Sequence, residues 1–384
     1  MKGRLILMGS GETAPSMVAT HRRALRKAGA DSVTVIDTPY GFQENADELT
    51  DRIGSYFRTS LGTDVEIASL RSPAADAVAT ERFLAAVGRA GYLFSGPGSP
   101  TYALGVWRQI ELSKVLRRRL ASGATVVMAS AAALTVGAKT IPVYEIYKVG
   151  QDPHWVEGLD VTTELGLKMV VVPHWNNAEG GTHDTSHCYI GKRRFDAMAA
   201  ELEVGVLGID EHTAAAIDTE AGVLEVSGAG GVTVMGDRRI SVESGETVSL
   251  EEVAAIVGHS PAVRPEAPFD WADDDFDLAL ARGDTDRALA ALLEVEENVA
   301  AGEVPARREL RRMLAELTRV ARRGLRDPRH ELEPLVDMML EWRANARADE
   351  RWEESDAIRE GLARAGIEVR DTAGGVEWDL RPRA

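Results

Sequence analysis

The first two thirds of this sequence predict an α/β fold, a flavodoxin-like three-layer α/β/α arrangement around a parallel sheet, with a small antiparallel β extension and a C-terminal all-helical domain. Three observations carry the prediction. To about residue 215, short β-branched runs alternate with stretches of helical period, which is the mark of a parallel sheet covered on both faces. Short strands split by glycine turns then replace that pattern. Beyond a Pro-rich polar stretch, the chain is almost wholly helical by period.

The strands of the parallel sheet are expected at Arg4 to Met8, Val33 to Ile36, Val65 to Ala68, Gly91 to Phe94, Thr125 to Met128 and Lys168 to Val172. Between them ATHRRALRKAG, ERFLAAVGRAG and WRQIELSKVLRRRLASG read as amphipathic helices, each ending at the glycine expected of a C-cap. From Thr213 to Leu250 the glycine-punctuated runs read as an antiparallel meander. A first domain over 1–258 follows, then a linker at 259–273 (HSPAVRPEAPFDWAD) and a second domain over 274–384. In that second domain Asp284 reads as an N-cap, Gly302 and Gly324 as breaks, and the last helix reaches Ala365. A short strand-turn-strand, IEVRDTAGGVEWDL, closes it.

Composition narrows the function classes. At 384 residues and 44% hydrophobic, the chain can bury a full core. Its longest apolar runs, LILM and MVVVP, fall far short of the roughly 20 residues of a membrane span, so no membrane partner is expected. One cysteine, Cys188, excludes an internal disulfide and fits a reducing compartment, with the cytoplasm as the default. A formal charge of −17 argues against a broad electrostatic grip on phosphates.

Two stretches belong together. FSGPGSPTYAL (Phe94 to Leu104) and VVMASAAAL (Val126 to Leu134) are each an apolar strand running into a turn of small residues and then a helix. Both turns should open at the carboxyl edge of the sheet, where this architecture keeps its chemistry. Ser130 stands alone among alanines at the second corner, and glycine N–H groups lie at the first. The pairing suggests a nucleophile beside an oxyanion hole. The plainer reading is that Ser130 is a small residue that packs.

A serine needs a base to take its proton, and His174, directly after MVVVP, is the histidine best placed to reach it. The base in turn wants a carboxylate to fix its tautomer. Glu145, Asp152, Asp210 and Glu211 are all candidates, and spacing does not choose among them.

These residues resemble a known group. GSGE at Gly9 to Glu12, SGPGSP, SAAA around Ser130, PHWNN around His174 and, most specific, GIDEHTA from Gly208 to Ala214 are similar to the motifs of the peptidase E and cyanophycinase serine hydrolases, within the class I glutamine amidotransferase-like fold. The resemblance covers roughly the first 250 positions. It implies Ser130 as nucleophile, His174 as general base, Glu145 as the acidic third member, and the N–H groups of Gly96 and Ala131 as the oxyanion hole. It also implies Arg193, Arg194 and Asn176 as substrate-binding residues. The sequence departs from the family at Met128 and Ala132, where glycines are usual, and Pro97 has no N–H to contribute.

Other signals are weaker. In THDTSHCY, His183 and His187 stand four apart, half of a metal site if helical, but no further ligand is evident and no metal is expected. GSGETAP lacks the dinucleotide fingerprint, so no cofactor is expected. Gln43, Glu44 and Asn45 form another polar loop at the carboxyl edge.

The tail RANARADERWEESDAIREGLARAGIEVRDTAGGVEW resembles the C-terminal end of bacterial cysteinyl-tRNA synthetases, through Trp352, Asp356, Ile358, Arg359, Leu362 and a closing turn at Trp378. That resemblance implies an RNA-linked role. From Glu341 to Ala384, however, acidic residues outnumber basic ones, which favours a docking or dimerisation module. The expected function is a serine hydrolase acting on a small peptide or amide substrate. The alternative is a non-catalytic binding protein whose tail recognises tRNA or a protein partner, with a homo-oligomer left open.

Overall fold

The computed structural model describes residues 2–258, 276, 279–280, 285–300, 304–324, 328–372 and 375–380. The chain divides into two compact units, Met1–Ala315 and Glu316–Ala384. The expected linker at 259–273, and with it Asp284 and Gly302, lies outside the described residues.

In the first unit five parallel strands form one side of an eight-stranded sheet, out to its edge: β1 (Arg4–Met8), β2 (Ser32–Ile36), β3 (Asp64–Ala68), β4 (Tyr92–Ser95) and β5 (Thr125–Ala129), with β3 the edge strand. They stand within one residue of the positions read from the sequence. The central strands are continuous apolar runs because both faces are covered. Leu5, Leu7, Leu93, Val126 and Met128 point into one core with Phe83, Trp107 and Leu116. Ile6, Met8, Tyr92, Phe94 and Val127 point into the other with Leu25, Ile53 and Phe57. This alternation is the period of two a strand imposes.

The helices α1 (Val18–Ala28), α2 (Ala46–Leu61), α3 (Ala77–Arg89), α4 (Pro100–Gln109) and α5 (Leu112–Ala121) supply those covers. Gly29 ends α1 in the left-handed conformation expected of a C-cap, whereas α3 ends at Ala90 in an extended one, so Gly91 is not its cap. The helix expected over 107–123 is two. The apolar stripe of α4, Leu104 and Trp107, is out of phase with Leu112, Leu116 and Leu120 of α5. A left-handed Glu111 resets the phase so that both stripes are buried.

Past α6 (Ala131–Thr135), the short β6 (Lys139–Thr140), α7 (Val143–Tyr147) and β7 (Val156–Glu157), the strand β8 (Met169–Val172) departs from expectation. It does not join the main sheet. Strand β1 is already flanked by β5 and by antiparallel β10 (Thr213–Asp218), so β8 pairs in parallel with β9 (Gly205–Ile209) in a second, four-stranded sheet. That sheet is completed by β12 (Val232–Met235) and β13 (Arg239–Val242), while β11 (Val223–Gly228) and β14 (Thr247–Ser249) extend the main sheet. The meander expected from Thr213 thus divides between two sheets. Its consequence is positional: the 210–212 connection crosses from one sheet to the other and brings the end of β8 against the end of β1, where the His174 N–H donates to the Gly9 carbonyl at 3.3 Å. Helix α8 (Lys192–Ala199) packs with β8, and α9 (Leu250–Val257) covers β9 and β12.

Helix α10 (Thr285–Ala300) follows, and α11 (Val304–Gly324) ends at the glycine expected to break it. The second unit holds α12 (Pro328–Ala348), α13 (Trp352–Arg364) and an antiparallel hairpin of β15 (Ile367–Thr372) and β16 (Gly375–Leu380). Val336, Leu362, Ile367, Ile358 and Trp378 form its small core, so helices and hairpin fold onto each other. Among the described residues no helix is long and apolar enough to cross a membrane.

Candidate active site

Ser130 sits between β5 and α6 with φ 49° and ψ −118°, a backbone conformation that costs an L-residue about 1–3 kcal/mol. Its surroundings hold it there. The Ser130 N–H donates to the Met8 carbonyl at 3.0 Å, and its own carbonyl accepts from Leu134 N at 3.2 Å. The small residues after it are needed for the close approach of helix to sheet. Ala131, Ala132 and Ala133 are all buried, and the extra methyl of Ala132 lies in the main core.

The glycine turn after β4 is tied to the same corner, because Ala132 N–H donates to the Gly96 carbonyl at 3.4 Å. Gly98 has φ 139°, and a Cβ there would meet the Pro39 carbonyl oxygen at 2.1 Å. Only glycine fits. Ser99 then caps α4 by accepting from Tyr102 N at 3.2 Å. Ala131 opens α6, so its N–H has no helical carbonyl behind it and is available to a ligand.

His174 completes the corner from the other sheet. Its Nε2 lies 2.9 Å from Ser130 Oγ, and its Nδ1 lies 2.9 Å from Oε1 of Glu211. The carboxylate on His174 is therefore that of Glu211 and not of Glu145, whose Oε1 accepts instead from Thr101 Oγ1 at 2.7 Å. Glu211 was one of four acidic candidates. Its place in GIDEHTA, the most specific of the motifs, is a signal that could have set it apart but does not do so by spacing alone; that segment forms the crossing between β9 and β10 beside His174.

The two asparagines of PHWNN explain how Glu211 is held. Asn177 Nδ2 donates to Glu211 Oε1 at 2.8 Å, and Asn176 Oδ1 accepts from the Glu211 backbone N–H at 2.9 Å. Asn176, expected to touch substrate, has its amide oxygen committed to that contact. The hydrogen bond from His174, followed by that from Asn177, keeps the Glu211 carboxyl below its ordinary range despite partial burial. Asp210 goes the other way: burial raises it, and its Oδ2 is spent on Gly231 N at 3.0 Å.

Glu12, from GSGE, is a member that sequence reasoning did not single out. It is 7% exposed, and burial raises its carboxyl above the usual range, offset in part by a backbone hydrogen bond. A Cβ on Gly96 would approach its Oε1 to 3.3 Å, so the carboxyl lies against the glycine turn. Among the described residues it forms no ion pair. Beneath it His21 Nε2 meets the Glu12 carbonyl at 2.8 Å and Nδ1 meets the Tyr92 hydroxyl at 2.8 Å.

The remaining expectations separate. His183 and His187 are not on a helix: His183 stacks on Tyr147, whereas His187 is buried against Trp175 and Phe195. Arg194 Nε donates to the Ile190 carbonyl at 2.7 Å, which commits part of its guanidinium, and Arg193 is exposed on α8. Cys188 is fully buried, and burial, aided by the charge of Glu211, pushes its thiol up to about 12. It is no nucleophile at neutral pH.

Chemically, the arrangement can move the Ser130 proton to His174 and balance the imidazolium with Glu211.

Comparison with known proteins separates the two units. Residues 329–378 match the family model described as the cysteinyl-tRNA ligase anticodon binding domain. The tail resembles that domain by sequence. It is 48% identical over 75 residues to the cysteine–tRNA ligase of Nitratidesulfovibrio vulgaris, covering 19% of this chain and 14% of the ligase. With the ligase of Paenarthrobacter aurescens the identity is 52% over 50 residues, 13% of this chain and 10% of the ligase. The chain thus spans only about a tenth to a seventh of these relatives. The fold of the first unit has a counterpart in the crystal structure of a peptidase from an acI-B1 actinobacterium, at TM-score 0.51 and 19% identity, covering 65% of this chain and 97% of that one.

Proposed function

We propose that the first unit is a serine hydrolase cleaving an amide or peptide bond, with Ser130, His174 and Glu211 as its catalytic residues. The observation that carries this reading is the pair of 2.9 Å contacts through the two nitrogens of one imidazole, Ser130 Oγ to Nε2 and Nδ1 to Glu211 Oε1. In the productive tautomer Nδ1–H donates to Glu211 and Nε2 accepts from the Ser130 hydroxyl. As Ser130 Oγ attacks the carbonyl carbon, Nε2 takes its proton. The oxyanion is held by the N–H of Ala131 with that of Gly96. His174 then returns the proton to the leaving amine, and water repeats the sequence to release the acyl group. The strained φ of Ser130 supports the reading, because a residue that only packs has no need of it.

Labelling of the purified chain with a fluorophosphonate serine probe tests it. Wild type should label, and Ser130→Ala and His174→Ala should not. A folded wild type that stays unlabelled removes the hydrolase reading.

For the tail, the match over 329–378 favours an RNA-linked role, in which the second unit holds a tRNA or part of one. The acidic balance of the same region favours a protein partner instead. Binding of labelled total tRNA to the full chain, measured against salt, separates them. RNA binding should weaken steeply as salt rises, and an absence of binding at low salt leaves the docking reading.

A further inference from the structure

Strand β5 lies between β1 and β4 in the main sheet, so the loops that leave β1 and β4 flank Ser130 on either side. Glu12 belongs to the first of these loops. Its carboxyl lies against the Gly96 turn in the second, where a Cβ on Gly96 would stand 3.3 Å from Oε1. Neighbouring strands are about 4.8 Å apart, so loop and side chain together bridge roughly 10 Å across the end of the strand that carries the nucleophile. Among the described residues the carboxyl is served only by the backbone N–H of Glu12 itself, and the N–H groups of Gly96 and Ala131 donate to no carbonyl. Unspent polar groups thus converge on one corner from both sides.

The loop that carries Glu12 is fixed in place. His21 Nε2–H donates to the Glu12 carbonyl at 2.8 Å while Nδ1 accepts from the Tyr92 hydroxyl at 2.8 Å, the one arrangement open to an uncharged imidazole that faces a carbonyl. Gly11 precedes with φ 64°, and the His212 ring covers it so closely that a Cβ would stand 2.2 Å from Nδ1. Ala14 N–H closes the turn on the Gly11 carbonyl at 2.8 Å. A side chain that only packed at position 12 would be apolar, because a buried carboxyl without a cation costs free energy.

The groups around Glu12 leave it without a fixed cation. From α1, His21 is held down to about 4 by burial, and from α2, Tyr56 is pushed up to about 12, so both are uncharged at neutral pH. Arg22 faces Tyr56 and donates to the Ser60 carbonyl at 3.2 Å. His174 and His212 face Glu12 from the other connections, and the Glu211 carboxylate is bonded to His174. To take the Ser130 proton, His174 must be an uncharged acceptor. An ionised Glu12 would repel the negative charge that grows on a carbonyl oxygen held at Gly96, whereas a neutral one can donate to it. We infer that Glu12 is a third donor of the oxyanion hole, its carboxyl O–H joining the N–H groups of Gly96 and Ala131. The proton is shared with the oxyanion and stays on Glu12 throughout. This rests on the hydrolase reading.

The test compares the full chain with Glu12→Gln and Glu12→Leu, using a small alkyl fluorophosphonate whose phosphoryl oxygen takes the place of the oxyanion. At pH 7.5 Glu12→Leu, which has no donor, should label about a hundredfold more slowly than wild type, the scale of one lost oxyanion-hole donor. Glu12→Gln keeps an N–H donor and should stay within about tenfold. Infrared difference spectra supply a readout that a packing role would not move. The C=O stretch of a protonated carboxyl should be present in wild type and missing from Glu12→Gln, and it should shift when Ser130 is phosphonylated. A Glu12→Leu rate within a few-fold of wild type, a folded Glu12→Gln as slow as Glu12→Leu, or a band that is absent or unmoved overturns the inference while Ser130 labelling upholds the hydrolase reading. Should Glu12→Leu not fold, the wild-type and Glu12→Gln spectra decide alone. Failure of the probe on folded wild type overturns both.

Discussion

Oε1 of Glu211 accepts two hydrogen bonds at once, from His174 Nδ1 at 2.9 Å and from Asn177 Nδ2 at 2.8 Å. The carboxylate therefore cannot turn away from the imidazole without breaking a second contact, and it fixes the tautomer that leaves Nε2 free to accept from Ser130. Glu211→Gln offers an amide that can present N–H to Nδ1 and favour the wrong tautomer. The expected loss in the rate of fluorophosphonate labelling is about a thousand- to ten-thousandfold. Glu145→Gln, by contrast, should keep most of the rate, because its carboxylate bonds Thr101 and not His174. A larger loss for Glu145→Gln than for Glu211→Gln would restore Glu145 as the acid.

The backbone of Ser130 gives a prediction about stability. At φ 49° and ψ −118° an L-residue is strained, and glycine is not. Ser130→Gly and Ser130→Ala both remove the hydroxyl, so comparing the two isolates the backbone. Ser130→Gly should be the more stable by about 1 kcal/mol, after allowing for the extra freedom glycine has when unfolded. Denaturant unfolding of both variants measures it, and a more stable alanine variant would mean the strain is absent.

Much of this site was legible because strand-turn-helix corners carry their own signature. Ser130 among alanines and the Gly96 turn mark themselves by small residues where backbones approach, and His174 by following an apolar run directly. Glu211 was less legible for a topological reason. It lies on the connection between two sheets, and the sequence pattern pointed to one sheet with an antiparallel extension. While β8 was expected beside the main strands, no argument placed the 210–212 segment next to His174. Asn176 and Asn177 were missed as supports because polar residues after a histidine look the same whether they face substrate or hold a carboxylate. The split between α4 and α5 could have been read, since the phase of the leucines shifts at Glu111.

Glu12 is the residue whose presence most needs a functional reason. Burial raises its carboxyl, so at neutral pH its ionisation opposes folding. For a carboxyl raised in the folded state the sign is that stability is greatest below the unfolded value and falls as pH rises through the folded one. Glu12→Gln removes that titration while keeping the shape. It should melt higher than wild type above neutral pH, with the gap narrowing as pH falls below the ordinary carboxyl range, and it should label more slowly if the carboxyl supports the Gly96 turn. Thermal melts from pH 4 to 8 with parallel labelling rates decide it. A variant that melts lower at every pH would mean the carboxyl is stabilising.

His21 works in the opposite direction, on the acid side. It is fully buried between Tyr56, Phe57 and Phe94, and burial, partly offset by the hydrogen bond to the Glu12 carbonyl, lowers it from 6.5 to about 4. The unfolded chain therefore binds a proton at this position over a range where the folded chain does not. Stability from this group is complete above about pH 6.5 and drains away as pH falls toward 4, by about 3 kcal/mol in all. His21→Gln replaces it with a side chain that does not titrate. The variant should be less stable at pH 7, having lost the two 2.8 Å contacts to Tyr92 and Glu12, yet its stability should fall less steeply between pH 6.5 and 4. Urea unfolding of both proteins at pH 7, 5.5 and 4.5 gives the two slopes. Parallel slopes would mean that His21 is protonated in the folded state. The Glu12 loop, seated on its Nε2, would then rest on an imidazolium.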